Sequence, residues 1–125
     1  MIRLAIVLAA AGAALGGAPT ALSLAKPGLW ELRRLPDGKP VRQCIADIAA
    51  LAQVEQRGQN CARNLVSTEG ATSVVRYRCR AGDFGQSTLT VITPRSLTIE
   101  TQGISGGFPF NYVVQARRIG DCAAR

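Results

Sequence analysis

Histidine is absent from all 125 residues of the chain. That removes the commonest general base, and with it every serine–histidine or cysteine–histidine nucleophile pair. A zinc site also loses its usual imidazole ligand, and no two cysteines are spaced as CxxC. Lysine is nearly missing: Lys26 and Lys39 are the only two, and both sit beside prolines. A serine–lysine arrangement is therefore disfavoured. Aromatics make up 5% of the residues and no nucleic-acid-binding motif is present, so nucleic acid is not an expected partner. Gly103 to Pro109 is glycine-rich but lacks the Lys-Ser/Thr ending of a phosphate-binding loop, and reads as a flexible connection.

Long hydrophobic runs are missing too, with one exception. Leu4 to Leu15 is uncharged and apolar, too short to span a bilayer comfortably, and follows Arg3. This is the pattern of a signal peptide. Ser23 and Ala25 supply small residues at the −3 and −1 positions, which predicts cleavage after Ala25. Cleavage after Ala18 is disfavoured because Pro19 would follow the cut. Residues 1–25 are thus read as the signal, and residues 26–125 as a single domain with no transmembrane segment. The expected localisation is periplasmic or secreted.

Cysteine is present in even number: Cys44, Cys61, Cys79 and Cys122 all lie in the mature part. In a small exported domain this reads as two disulfides, which such a domain needs because its core is limited. The stretch Asn60–Arg80 forms a hairpin about Gly70, with residue pairs summing to 140. That register sets Cys61 opposite Cys79, Arg63 opposite Tyr77 and Leu65 opposite Val75. Cys61–Cys79 is the expected bridge, and Cys44–Cys122 takes the remaining pair.

The rest of the mature chain reads as short strands joined by turns. Leu29–Leu35 and Val41–Cys44 flank Pro36-Asp37-Gly38-Lys39-Pro40 as a first hairpin. Trp30 reads as a core anchor. Residues 47–57 read as a helix: Asp47 is the N-cap, Gly58 the left-handed stop, and Ile45, Ile48, Ala49 and Ala52 share a face. Ser87–Ile92, Leu97–Thr101 and Phe110–Arg118 complete an antiparallel meander. The expected fold is α+β: a curved antiparallel sheet of six or seven strands with one short helix and two disulfides. A partly open barrel resembling a lipocalin is the alternative.

Two end motifs belong together. Pro27-Gly28-Leu29-Trp30-Glu31 opens the mature chain and Arg117-Arg118-Ile119-Gly120-Asp121-Cys122 closes it. With four cysteines and a short helix between, the chain resembles a family of small exported proteobacterial proteins catalogued as a domain of unknown function. Members open with PGLWE or PGxWE and end near GxxxGxC. This chain has Gln115-Ala116 where a glycine is expected, and a brief helix-to-hairpin segment. The resemblance implies an envelope location and an antiparallel sheet with a helix. It implies no activity and no catalytic residues.

The formal net charge is +7, and +6 once Arg3 leaves with the signal. A basic domain outside the cytoplasm meets anionic lipid, envelope polysaccharide or another acidic surface. Arg76, Arg78 and Arg80 alternate along one strand and form a candidate anion-binding face, since guanidinium groups grip phosphate and carboxylate in pairs. The bland reading is a solvated strand whose charges deter edge pairing. The expectation is a non-catalytic exported protein, with no cofactor and no metal, that binds an anionic or amphiphilic envelope component. The alternative is a structural or stress-related module that binds another envelope protein without a small ligand. A hydrolase built on Glu31 and Glu100 ranks last.

Overall fold

The computed structural model describes residues 20–123. The signal-peptide reading of residues 1–19 lies outside the described residues. Thr20–Ala25, which the sequence assigns to the same signal, pack onto the sheet. Ala21–Leu24 form a 3-10 turn, Ala21 and Ala25 are buried, and the Ala21 N–H donates to Thr68 Oγ1 at 3.1 Å. Cleavage after Ala25 would strip this cover from the core.

Alternating burial builds seven strands. They are β1 (Gly28–Arg34), β2 (Val41–Ile45), β3 (Cys61–Glu69), β4 (Thr72–Cys79), β5 (Phe84–Thr93), β6 (Ser96–Ser105) and β7 (Phe108–Gly120). All pair antiparallel in one open, curved sheet, in the order β2-β1-β7-β6-β5-β4-β3. β2 and β3 are its edges, so the sheet does not close into a barrel. The helical segment Ile48–Gln56 packs on the concave face against β2, β4, β5 and β6. Trp30, Leu51, Leu89, Leu97 and Ile99 are fully buried there. Trp30 is the anchor expected, and its Nε1 donates to the Lys26 carbonyl at 3.0 Å.

The helix departs from expectation in kind. It is a 3-10 segment broken at Gln53, whose φ/ψ of −106° and 43° are not helical. The sequence face was drawn at the α-helical period of 3.6. Of the expected face, Ile45, Ile48 and Ala52 are buried and Ala49 half-buried; Leu51, three residues after Ile48, eclipses it at three residues per turn and is buried too, and Val54 is buried beyond the break. Both ends are as read: Asp47 Oδ1 accepts from the Ala49 N–H at 3.0 Å, and Gly58 has φ +80°.

The cysteine hairpin keeps the expected register from Cys61↔Cys79 to Leu65↔Val75, then shifts to Ser67↔Val74. Val66 is the extra residue of a bulge. Ser67–Glu69 therefore belong to β3, and the turn is only Gly70 and Ala71. Both expected disulfides are present. Cys61–Cys79 has a Cα separation of 4.0 Å and Cys44–Cys122 one of 5.5 Å. Such bridges belong to an oxidising compartment outside the cytoplasm. Among the described residues no helix is long and apolar enough to cross a membrane.

The expected loop Gly103–Pro109 is instead the tip of the β6–β7 hairpin. Only Gly106 and Gly107 turn, at φ +58° and +83°, the paired positive values a two-residue hairpin turn requires. Pro109 is tolerated in β7 because β1 pairs only from Val114 onward, leaving the missing N–H on an unpaired side.

Candidate functional site

β4 lies inside the sheet, between β3 and β5. Its arginines therefore do not guard an edge, and the edge-protection reading loses its ground. Ser73, Val75, Tyr77 and Cys79 point into the core, while Arg76 and Arg78 project outward. Register extends these two positions into rows across the convex face. One row runs Arg78, Phe84, Ile104, Pro109, and the next runs Asn64, Arg76, Gln86, Gln102, Asn111. The second row carries only guanidinium and carboxamide side chains across five strands.

A groove of about 650 Å³ opens between these rows, lined by Arg76, Arg78, Phe84, Gln86 and Ile104, with Phe110 at its border. A smaller hollow of about 300 Å³ adjoins it and shares Gln86, Gln102 and Asn111. Arg76 is laid over β5 by Gln86, whose Oε1 accepts from its Nη2 at 3.1 Å. The ion pairs among the described residues engage Arg42 with Glu31, Arg63 with Asp47 and Arg118 with Asp121, so neither groove arginine is neutralised by one. Phe84 is 48% exposed beside them. The groove thus offers two guanidinium groups, amides that both donate and accept, and an apolar wall.

Arg80 is not part of this arrangement. β4 ends at Cys79, and Arg80 enters the turn closed by the Gly82 N–H on its carbonyl. The sequence alternation ran one step past the strand. Phe84, Ile104 and Gln102 were not singled out from sequence, because their place beside the arginines depends on the pairing of β4, β5 and β6. The available signal was their outward parity within β5 and β6.

The carboxylates Glu31 and Glu100 are not brought together. Glu31 pairs across β7 with the row of Ser96, and Glu100 lies four residues further along β6. At about 3.3 Å per residue this separates the rows by roughly 13 Å, and two strand spacings are added across the sheet. Among the described residues no group of three or more His, Cys, Asp or Glu side chains gathers as a metal site.

Polar groups on the concave side serve attachment. Tyr77 donates to Gln56 Oε1 at 2.6 Å, and Ser87 Oγ bonds the Ala52 carbonyl and lies 2.8 Å from Thr101 Oγ1. Burial pushes the Tyr77 pKa up to about 12, against a contact with Thr101 that pulls it back. The phenol stays protonated and ties the helical segment to the sheet. Arg63 likewise reaches Gln53 Oε1 at 2.7 Å from β3.

The two end motifs form a clasp. Arg118 is mostly buried, its Nε donates to the Pro27 carbonyl at 2.8 Å, and it pairs with Asp121. A Cβ on Gly28 would lie 2.5 Å from that Nε, so glycine is needed to admit the guanidinium. The two motifs touch in space, and the contacts they make are structural.

A family model described as "Protein of unknown function (DUF3617)" matches residues 25–122. That span runs from the buried Ala25 to the last cysteine. No curated protein and no solved structure matches the chain.

Proposed function

We propose that this chain, which belongs to the DUF3617 family, is a non-catalytic binding protein of the periplasm or cell exterior. It holds an anionic, amphiphilic component of the envelope on the convex face of its sheet. One observation carries the reading: Arg76 and Arg78 border the same groove as Phe84 and Ile104. Guanidinium pairs take up a phosphate or carboxylate, and the apolar wall takes up the adjoining hydrocarbon. The carboxamide row of Gln86, Gln102 and Asn111 suits a hydroxylated headgroup, because each amide both donates and accepts.

The test is retention on vesicles containing phosphatidylglycerol, compared between the native chain and the double variant Arg76→Ala, Arg78→Ala. Each basic residue near an anionic surface contributes about 1 kcal/mol, so the variant should bind more than about tenfold more weakly at low salt. Screening should shrink the difference as salt rises. Equal retention of the two proteins at low salt would contradict the proposal.

A further inference from the structure

The concave face has an open mouth beyond the end of the helical segment, and the cations around it are not those of the convex groove. β1 ends there at Arg34, the β1–β2 turn brings Lys39, and Arg57 follows Gln56 directly. These three cations line one pocket of about 120 Å³ whose apolar wall includes Leu32, Val54 and Val114. None of them belongs to an ion pair among the described residues. Three like charges around one hollow repel each other, and the repulsion is strongest where an apolar floor lowers the local dielectric. The nearby carboxylate, Glu55, accepts the Tyr112 hydroxyl, and burial together with that bond raises the Tyr112 pKa.

Aromatic rings lead away from this pocket. Alternation puts Phe108, Phe110 and Tyr112 on the same face of β7 as the core residue Val114. The Phe110 and Tyr112 rings lie 5.8 Å apart, and the Arg34 guanidinium carbon sits 4.1 Å above the Tyr112 ring. Phe108 is 76% exposed at the far end. The chain has six aromatic residues, one Trp, two Tyr and three Phe, and half of them form this strip.

We infer that the concave mouth is a second ligand site, for an organic anion with an apolar body. Its carboxylate sits among Arg34, Lys39 and Arg57, relieving their repulsion. Its hydrocarbon lies along Tyr112, Phe110 and Phe108. The size of the pocket limits the head to a few heavy atoms, and the open strip leaves the length of the tail less restricted.

Octanoate is the probe, with dissociation constants read from shifts of the Tyr112 and Phe110 backbone amides. The native chain should bind octanoate at least about tenfold more tightly than acetate or octanol, since each lacks one half of the match. Lys39→Ala with Arg57→Ala should weaken octanoate about tenfold or more. Both residues are exposed, so the fold should persist, and unchanged amide spectra elsewhere would verify this. Phe110→Ala should weaken octanoate and leave acetate unaffected. Arg76→Ala with Arg78→Ala should leave octanoate binding intact, because neither residue lines the concave pocket, although Phe110 borders both sites. The inference is overturned if octanoate does not bind, if acetate or octanol matches it, if Phe110→Ala leaves octanoate binding unchanged, or if the convex variant abolishes binding while Lys39→Ala, Arg57→Ala keeps it.

Discussion

Replacing Trp30 by alanine should destabilise the domain by about 3–5 kcal/mol. Trp30 is 0% exposed and belongs to the central apolar cluster with Leu51, Leu89, Leu97 and Ile99. It stands on β1, which joins the edge strand β2 to the rest of the sheet through β7. Truncation removes the largest side chain of the core and leaves a cavity that the rigid sheet cannot close. It also takes away the donor to the Lys26 carbonyl. Domains of this size hold about 5–15 kcal/mol in all, so the variant should be marginal. Trp30→Phe should cost less, because it keeps most of the buried area and loses chiefly the hydrogen bond. Urea denaturation of the three proteins measures this; a loss below about 1 kcal/mol in Trp30→Ala would place the core elsewhere.

Removing the Cys44–Cys122 bridge, as Cys44→Ala with Cys122→Ala, should cost about 4 kcal/mol in the chain-entropy account. Its ends are 78 residues apart in sequence, against 18 for Cys61–Cys79, whose removal should cost about 3 kcal/mol. The order of the two effects is the informative result. β2 is a five-residue edge strand exposed at Val41, Arg42 and Cys44, and it pairs only with β1. Cys122 lies two residues beyond the end of β7, so the bridge holds both β2 and the chain end. Calorimetric midpoints of the two double variants should fall in that order, and the reverse order would contradict the loop-closure argument.

The sequence made the hairpin and both disulfides legible because side-chain alternation is a local rule and Gly70 marks the turn. The bulge at Val66 escaped it, since nothing in Leu65-Val66-Ser67 signals an extra residue. The symmetric register still placed the cysteines correctly, because the bulge lies on the turn side of them. The helical segment and most of its buried face were legible, but its 3-10 geometry and the break at Gln53 were not, since its alanines fit either helix. Gly103–Pro109 read as a loop because its glycines and proline suit one. Only the pairing of Ile104 with Pro109 shows it as a hairpin tip.

The candidate site was legible in half. Arg76 and Arg78 follow from alternation in β4 alone. Phe84, Ile104 and the carboxamide row come from other strands, and only the order of the sheet brings them to the arginines. The concave mouth was not legible as a site, since Arg34 and Lys39 belong to the first hairpin while Arg57 and Tyr112 come from two other stretches of chain. The spacing Phe108, Phe110, Tyr112 was its one local sign. The end motifs, prominent in sequence, turned out to bind each other through Arg118 and Pro27.

Native mass spectrometry of the protein purified from an oxidising compartment outside the cytoplasm, where its two disulfides form, tests the central claim most directly. The native chain should carry a bound anionic amphiphile, released on acidification and identified by its own mass. The variant Arg76→Ala, Arg78→Ala, prepared identically and with both disulfides intact, should lose that adduct, and only a carboxylate held at the concave mouth should remain. A bare native chain, or the same adduct at the same occupancy on both proteins, would contradict the assignment of the convex groove as the ligand site.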